Sequence, residues 1–357
     1  MVVEEVGRDF SFPFERGALR MRAIQSRMGR VLAAWIAVCS IASLTGCGSK
    51  REAQYFVHAA MGVKVELRID DPDLERARTA AIAAFARIDA LDAAWSDWKI
   101  DSEISRFNHA AKTGAVEVSV ETSAALAIAV EVAYATDGRF DPTIGPLVTL
   151  WRKSRNSHVL PHEAELARAR AEVGVQRIEV NGVGSVSKLA SEVVIDFGGI
   201  GKGLAAAELV AVLAREGCPR CLVAVAGDIA AGEAPHGSGA WRVDIEWKDG
   251  RREEIKLLRQ SASTSGDAEQ FVEIDGKRYA HIIDPATGLG ALDLEQVTVI
   301  GARVSSEELA TASITDPHSF ISNGGRVDAY ATALTLARGD SVDLPTGFRV
   351  IREGARN

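Results

Sequence analysis

The sequence has no stripe rich in lysine and arginine, and its formal net charge at pH 7 is −8. Proteins that bind nucleic acid through its phosphates carry a basic patch. The charge balance therefore argues against a nucleic-acid partner. Cysteines are also few: Cys218 and Cys221 form a single C-x-x-C pair, and no second pair is present to complete a zinc site.

The N-terminal region contains one apolar stretch, residues 31–44, and this stretch is too short to span a membrane as a lone helix. It follows three arginines and has the length of the apolar region of a signal peptide. It ends in Leu-Thr-Gly-Cys, which resembles a bacterial lipobox and predicts lipidation of Cys47. We therefore expect an N-terminal extension and lipoprotein signal peptide over 1–46 and a lipidated tether over 47–55. An ordinary secretory signal that is cleaved nearby is the alternative.

Export with lipid on Cys47 predicts a protein anchored to a bacterial membrane that faces the periplasm or the cell exterior. A lipoprotein cysteine carries two acyl chains and a third on its amine, which is more than the two membrane-binding groups that stable anchoring requires. In such an oxidising compartment, Cys218 and Cys221 form either a tight structural disulfide or two ordinary thiols. A catalytic redox motif would open a helix after a strand, whereas this pair precedes the strand-like run CLVAV.

Apolar periodicity predicts helices in the first half of the mature chain. The spacing predicts a long helix over 73–94 and another over 122–136. Residues 161–174 predict a short helix with proline near its start and glycine just past its end. The stretch 96–110 is polar and turn-rich, and prolines and glycines in 138–151 argue against one long element there.

The last third of the chain predicts antiparallel strands. Residues 241–257 and 271–284 each place Asp-Gly between two alternating runs, which is a strong hairpin signal. A further helix is predicted over 327–337. Helices early and hairpins late favour an α+β fold over a doubly wound parallel sheet.

Residues 194–210, VIDFGGIGKGLAAAELV, predict a strand that enters a helix through a glycine-rich turn. Such a turn directs backbone N–H groups and the positive end of the helix dipole towards an anion. It is not a P-loop, because Gly203 follows Lys202 where a P-loop has Ser or Thr. Gly201-x-Gly203-x-x-Ala206 fits a relaxed dinucleotide pattern, which is a weak signal alone. A tight turn without a ligand is the other interpretation.

Three further segments carry groups suited to a nucleotide. The loop 139–141, Arg-Phe-Asp, sets an aromatic face beside a carboxylate, and 261–267 offers several hydroxyls. Asp328 and Thr332 are one helical turn apart and so share a face. Carboxylate and hydroxyl oxygens suit Mg²⁺ better than zinc. Each segment also has an ordinary interpretation, as a core anchor, a polar loop or a solvated helix face.

Taken in order, these segments resemble the ApbE family, the FAD:protein FMN transferases. The resemblance covers residues 56–339 and includes AMG, SDWKIDSEISRFN, TDGRFDPTIGPLVTLW, VIDFGGIGKG, AVAGDI, STSGD, HIIDPATG and VDAYATAL. It implies one flavin transferase domain over 56–357. The implied fold is α+β, with two related subdomains of antiparallel sheet and packed helices, and the flavin bound between them.

The resemblance also implies site residues. The implied FAD contacts are Met61, Trp98, Arg139, Phe140, Asp141, Asp196, Lys202 and Ile282. The implied magnesium ligands are the backbone oxygen of Gly199 and the side chains of Asp328 and Thr332. His281 stands at the position of the catalytic base.

The reaction implied by the resemblance is a magnesium-dependent transfer of FMN from FAD to a threonine or serine hydroxyl, with release of AMP. The implied partner is an exported redox protein. Two alternatives stay open: an FAD pyrophosphatase that uses water as the acceptor, and a non-catalytic flavin-binding lipoprotein. Val63 stands where the family usually has threonine. The segment 305–326 is longer than is usual in the family, and it is interpreted as a lid, a docking loop or a disordered segment.

Overall fold

A computed structural model describes residues 52–267, 271–337 and 340–353. The predicted signal peptide and Cys47 lie outside these residues, so their assignment stays a prediction. Within the described ranges, no helix combines the length and apolar character needed to cross a membrane.

Helices and strands alternate irregularly along the described chain. The helices are α1 (Leu74–Trp95), α2 (Glu103–His109), α3 (Val120–Ala135), α4 (Gly145–Ser157), α5 (Glu163–Glu172), α6 (Gly201–Arg215), α7 (Ser306–Ala310) and α8 (Phe320–Leu336). The strands are β1 (Gln54–Ala60), β2 (Val63–Ile69), β3 (Gly114–Glu117), β4 (Ile178–Gly182), β5 (Ser185–Lys188), β6 (Cys221–Val225), β7 (Asp228–Ala231), β8 (Trp241–Glu246), β9 (Arg252–Leu257), β10 (Gln260–Ser265), β11 (Phe271–Ile274), β12 (Lys277–Ile283), β13 (Gly290–Leu292), β14 (Val297–Ile300) and β15 (Arg349–Arg352). Helices and antiparallel sheets in this arrangement confirm the α+β prediction.

Seven strands form one antiparallel sheet in the order β1-β2-β6-β7-β10-β14-β15. On one face, α6 contacts β6 and β7 while α8 contacts β10 and β14, and the two helices contact each other. The main apolar core lies between this face and the helices. The hairpin β8–β9 covers the other face, where its side chains pack against Ala262 and Ile300. Strand alternation explains why Ile300 faces this hairpin while Val299 faces the helices.

Two smaller three-stranded sheets, β3-β5-β4 and β11-β12-β13, flank the large one. The hairpin β11–β12 turns at Asp275-Gly276, whose φ angles are 50° and 71°. The hairpin β1–β2 turns at Met61-Gly62, with φ angles of 52° and 72°. Paired positive φ angles are those of the two-residue turns that match strand twist. The pairing of β8 with β9 and of β11 with β12 confirms both hairpins that were predicted at Asp-Gly.

Two local predictions were wrong, and a third was confirmed. The polar stretch 96–110 contains α2, which Ser102 caps through its side chain. Residues 138–151 are not one long element, as predicted: α4 begins only at Gly145, and Pro146 lies in its first turn, where proline is well tolerated. Residues 193–197 form no strand, although the helix predicted after the glycine turn is present as α6.

The segment 305–326 is folded over most of its length, which corrects its interpretation as a disordered segment, while the lid and docking-loop interpretations stay predictions. Its first part forms α7, and its last seven residues begin α8. Arg326, only 5% exposed, donates from Nε to Oε1 of Glu131 on α3 at 2.9 Å. This ion pair and the burial of Phe320 and Ile321 anchor the segment to the core.

Cys218 and Cys221 are buried free thiols. The Cys218 thiol donates weakly to Asp71 at 3.8 Å. Burial, followed by the nearby Asp71 carboxylate, raises the pKa of Cys218 to about 11. Burial likewise raises the pKa of Cys221. Of the two states left open by the sequence, the structure therefore has the thiols, and they are unreactive ones because the thiolate is the nucleophile.

Candidate active site

Lys202 is the second residue of α6, directly after the glycine-rich turn. Its Nζ donates to the backbone oxygen of Gly198 at 2.8 Å. The same ammonium lies 3.2 Å from Oδ2 of Asp228 and 3.5 Å from Oδ2 of Asp328. Burial alone would lower the pKa of Lys202, but the two carboxylates outweigh it and raise the pKa above its ordinary value. The side chain is therefore a fixed positive charge.

Asp228 and Asp328 form a buried acidic pair, each with 3% of its surface exposed. Burial and then repulsion from Asp228 raise the pKa of Asp328, while Lys202 and the N–H of Gly203 oppose that rise. Two carboxylates held close together out of water favour a cation beside them. In the structure, the Lys202 ammonium supplies that charge.

The crossing of α6 and α8 brings Asp328 to the glycine turn. The N–H of Gly203 donates to Oδ2 of Asp328 at 3.2 Å. N–H groups in the first turn of a helix lack partners within the helix and carry the positive end of its dipole. The close approach requires glycine on both helices: a Cβ on Gly203 would lie 2.3 Å from the oxygen of Gly324, and one on Gly324 would lie 2.5 Å from the oxygen of Gly203.

The three residues implied as magnesium ligands converge at this crossing. Thr332 lies one turn after Asp328 on α8, and a Cβ on Gly199 would lie 3.3 Å from its Oγ1. Among the described residues, no group of three or more His, Cys, Asp or Glu side chains is arranged for a metal. A fit must therefore use mixed oxygen donors. A carboxylate, a hydroxyl and a carbonyl are hard donors of the kind that Mg²⁺ prefers, so this set fits.

A side chain, rather than a neighbouring strand, holds the segment that leads into the turn. Asn108 donates from Nδ2 to the oxygen of Ile195 at 2.9 Å, and its Oδ1 accepts from the nitrogen of Ile195 at 2.7 Å. This amide makes both hydrogen bonds that a strand partner would make. The next residue, Asp196, donates its backbone N–H to the oxygen of Pro142 at 2.9 Å.

Lys188 fixes Asn108 from the other side. The lysine is fully buried, and its Nζ donates to the backbone oxygens of Asn108 at 3.2 Å and Ala110 at 3.0 Å. Lysine is rarely buried without partners for its charge, and here the last carbonyls of α2 supply them. Burial lowers the pKa of Lys188. The backbone and the amide of Asn108 are thus both constrained.

Asp196 and Trp98, both implied FAD contacts, are joined through Arg152 of α4. Asp196 accepts from the N–H of Gly198 at 2.7 Å, and its other oxygen lies 3.6 Å from Nη2 of Arg152. The guanidinium carbon of Arg152 lies 4.0 Å from the ring centroid of Trp98. Burial and then Asp97 raise the pKa of Asp196, and Arg152 opposes that rise.

The loop 139–141 contributes differently from what its sequence indicated. Both carboxylate oxygens of Asp141 accept hydrogen bonds within the protein, from Thr143 and from the N–H of Val175. Phe140 is 5% exposed, so its ring belongs to the core and supports Gly199. Arg139 pairs with Asp340 at 3.1 Å. This loop therefore supports Gly199 from the core and does not present a free aromatic face.

Met61 and Asp228 lie at the same end of the large sheet. Met61 turns β1 into β2, and the oxygen of Lys64 accepts from the N–H of Ala226 at 3.1 Å. Ala226 lies in the turn that leads directly into Asp228 at the start of β7. Val63 is half-buried and packs on the main core beside this turn.

His281 and Ile282 lie on β12, where the pairing with β13 shifts in register. His281 is exposed, and Ile282 is half-buried. Ile282 and Leu336, the last residue of α8, pack on the same small apolar cluster. The strand that carries the predicted base therefore lies against the end of the helix that carries Asp328, and the catalytic role of His281 stays a prediction.

Three residues of this region were missed as site residues by sequence reasoning. Asp228 lies in the quoted AVAGDI motif and Asn108 in SDWKIDSEISRFN, while Arg152 follows directly after TDGRFDPTIGPLVTLW. Their motifs were visible, but their roles depend on long-range contacts: Asn108 and Ile195 are 87 positions apart. Sequence patterns report neighbours along the chain and not such pairings.

Comparison with known proteins gives consistent matches. The model of the ApbE family matches residues 61–322. An FAD:protein FMN transferase of Salmonella typhimurium is 31% identical over 270 residues, which cover 71% of this chain and 77% of that protein. An FAD:protein FMN transferase of Klebsiella pneumoniae is 32% identical over 238 residues, covering 64% and 68% respectively.

Solved structures show the same relationship. The flavin transferase ApbE from Vibrio cholerae superposes with a TM-score of 0.66 at 25% identity, covering 84% of this chain and 96% of that one. The crystal structure of the ApbE protein from Thermotoga maritima gives a TM-score of 0.71 at 25% identity and covers 84% and 94%.

Proposed function

The chain belongs to the ApbE family, and from this premise we propose how its own residues carry out the reaction. It is a flavin transferase that uses FAD as the donor and a protein as the acceptor. We propose that the acceptor group is a threonine or serine hydroxyl. The acceptor oxygen forms a bond to the phosphorus nearer the flavin, the bond from that phosphorus to the bridging oxygen breaks, and AMP leaves with the electron pair.

The observation that carries this proposal is the charged constellation around Lys202. The carboxylates of Asp228 and Asp328 leave an excess of negative charge beside Lys202, which favours a further cation there, and the N-terminus of α6 supplies N–H groups and a positive dipole end for a diphosphate. The backbone oxygen of Gly199 and the side chains of Asp328 and Thr332 would hold Mg²⁺ there. When bound, the metal neutralises the diphosphate and polarises the reacting phosphorus.

His281 is the proposed general base. A hydroxyl nucleophile must lose its proton as the new bond forms, and histidine is the side chain that most often accepts such a proton. An exposed position on β12 lets a protein acceptor reach this imidazole from solvent. Positioning and charge neutralisation supply most of the rate, as in other phosphoryl transfers.

Export and lipid anchoring are part of the same proposal. The signal-like residues 31–44 and the lipobox-like sequence before Cys47 support it. A lipid-anchored transferase would meet exported redox subunits that receive their flavin after translocation. Labelling with radioactive palmitate tests this, since Cys47→Ser should abolish labelling and leave an unprocessed precursor.

A mass-spectrometric assay tests the reaction. Purified protein is incubated with FAD, Mg²⁺ and a threonine-containing acceptor peptide, and the peptide is expected to gain the mass of an FMN adduct. Chelation of Mg²⁺ and the Asp328→Asn variant should each abolish the adduct. Asp275→Asn, at an exposed turn that asparagine tolerates, is the matched control and should leave it unchanged. Free FMN and AMP without any adduct would favour the pyrophosphatase instead.

A further inference from the structure

The three proposed magnesium ligands differ in how the protein holds them. Asp328 and Thr332 are side chains of α8, and the helix itself keeps them one turn apart. The third ligand is the backbone oxygen of Gly199, which lies in the turn before α6. A backbone oxygen is placed only by whatever holds the chain on either side of it. The position of this ligand therefore depends on α6 after it and on the segment 194–198 before it.

Residues 194–196 are hydrogen-bonded on two sides, as a central strand would be. On one side, their backbone bonds run to the backbone of Pro142 and Gly145. On the other side, both backbone groups of Ile195 bond to the Asn108 side chain, at 2.9 and 2.7 Å. Consecutive residues of a strand direct their backbone groups to opposite edges. One amide side chain therefore takes the place of a neighbouring strand.

The side chain of Phe197 gives the segment a further anchor. It is buried, and its ring centroid lies 5.4 Å from that of Trp95. Apolar packing is non-directional, whereas a hydrogen bond constrains both distance and angle. The direction in which the Gly199 oxygen points therefore depends on the hydrogen bonds of residues 194–196.

Lys188 holds Asn108 from the small sheet β3-β5-β4. The lysine ends β5, where it pairs with Gly114 and Ile178 on the two neighbouring strands, and it is fully buried. Its ammonium donates to the backbone oxygens of Asn108 and Ala110 at the end of α2. A buried ammonium that loses its partners costs much free energy. The end of α2 is therefore held firmly against β5.

We propose that Asn108 and Lys188 are positioning residues for the magnesium and diphosphate site. Lys188 fixes the end of α2, and the Asn108 amide fixes the segment that leads to the Gly199 oxygen. Both act through the backbone and not by touching the substrate. This inference rests on the proposed function, because it takes Gly199 as a magnesium ligand and FAD as the donor. Supporting hydrogen bonds matter here because a site must be held within about 0.5 Å of its working geometry.

FAD titrations of the full chain at several Mg²⁺ concentrations test the inference. Asn108→Leu keeps the size of the side chain and removes both hydrogen bonds to Ile195. It should raise the Mg²⁺ concentration at half-maximal FAD binding by about 10- to 30-fold. Lys188→Met keeps the length of the side chain and removes the ammonium, and should raise that concentration about three- to tenfold. Asn181→Leu and Lys112→Met are the matched controls at exposed positions, and they should stay within about twofold of wild type.

Amide hydrogen exchange distinguishes positioning from a general loss of stability. In Asn108→Leu, exchange over residues 193–199 should become about tenfold faster or more, while β6 and β10 exchange as in the wild type. A merely structural asparagine would lower the melting temperature and speed exchange in these strands too, without changing the Mg²⁺ requirement of the folded protein. That pattern, or an unchanged Mg²⁺ requirement, would overturn the inference.

The two residues should act in series. Lys188→Met should add little to the effect of Asn108→Leu in the double variant, because the amide that the lysine positions is already gone. Additive losses would overturn the role of Lys188. If Asn108→Leu does not fold, Asn108→Asp replaces it, since it keeps the acceptor for the N–H of Ile195 and loses the donor. Asn108→Asp should raise the Mg²⁺ requirement about tenfold, and an unchanged requirement would again overturn the inference.

The wild-type protein separates this inference from the proposed function. Wild-type FMN transfer together with an unaltered Mg²⁺ requirement in the Asn108 variants would refute only this inference. A wild-type protein that neither binds FAD at any Mg²⁺ concentration nor transfers FMN would overturn both.

Discussion

Replacement of Gly203 by alanine tests whether the crossing of α6 and α8 builds the site. In an ordinary helix this change stabilises by up to about 1 kcal/mol, because alanine is the better helix former. Here the new Cβ would lie 2.3 Å from the oxygen of Gly324 and 2.7 Å from Cβ of Asp328. Carbon contacts are optimal at roughly 3.5–4.0 Å, so the helices must separate by about 1 Å.

The separation of α6 and α8 determines the expected loss in the free energy of unfolding. Overpacking of a close-packed core costs about 1–3 kcal/mol, which exceeds the gain in helix propensity. The clashing oxygen belongs to the backbone, so no rotamer change relieves the contact. We therefore expect Gly203→Ala to lower the free energy of unfolding by about 1–2 kcal/mol. Because Asp328 moves with α8, Mg²⁺-dependent FAD affinity should fall by at least tenfold, as misplacement by about 1 Å can cost 100-fold in activity.

Urea denaturation and FAD titration measure the two effects. Gly239→Ala is the matched control: its Cβ would have no heavy atom within 4 Å, and its backbone needs no positive φ. The control should stay within about 0.5 kcal/mol of wild type and bind FAD normally. A Gly203→Ala protein that is more stable than wild type and binds FAD equally well would refute the reasoning.

Three further predictions concern single positions. His281→Ala should leave FAD bound but slow FMN transfer by about 10²–10⁴-fold, the usual share of a general base. A normal transfer rate, measured in samples that are quenched at fixed times, would exclude His281 from the mechanism. Replacing Cys218 and Cys221 together by serine should leave FMN transfer intact, and the native thiols should resist iodoacetamide at pH 8, because their raised pKa values keep them protonated; rapid alkylation of folded protein would contradict this. Val63→Thr should preserve kcat, measured by adduct formation, since the side chain packs on the core beside the Met61 turn and not at the Lys202 charges; a large loss would show that this turn takes part in the chemistry.

Local signals carried much of the fold. The hairpins at residues 241–257 and 271–284 were predictable because Asp-Gly turns and alternation are encoded within a few residues. The helix over 73–94 was predictable from its apolar spacing and corresponds to α1, capped by Asp73. The strand expected before the glycine turn was not formed, because the Asn108 amide takes the place of a strand neighbour. No local propensity signals that substitution.

The site was predictable as a set of residues but not as a geometry. Asp328 and Thr332 were expected to share a helix face, and they do. Phe140, in contrast, looked like a ring platform from its loop context, and its burial depends on packing against Gly199 from a distant segment. Arg152 had no sequence signal of its own, because its role arises only where α4 meets the loop that carries Trp98.

The two hydrogen bonds between the Asn108 side chain and the backbone of Ile195 have a consequence for local opening of the segment that leads into the glycine turn. Residues 193–197 lack the ladder of hydrogen bonds that a sheet would give them, and one side chain supplies both bonds of Ile195. The other backbone hydrogen bonds of this segment to distant parts of the chain run to the backbone of Pro142 and Gly145, whereas a central strand of the large sheet is paired along both edges. We therefore expect this segment to open locally at a lower free energy than those strands. Its amide hydrogens should exchange with solvent well before those of β6 and β10. A ligand that bridges Asp196 and Lys202 would slow that exchange by mass action. Binding of a ligand at the glycine turn should therefore raise the local stability of residues 193–197, and their amide exchange rates should report it.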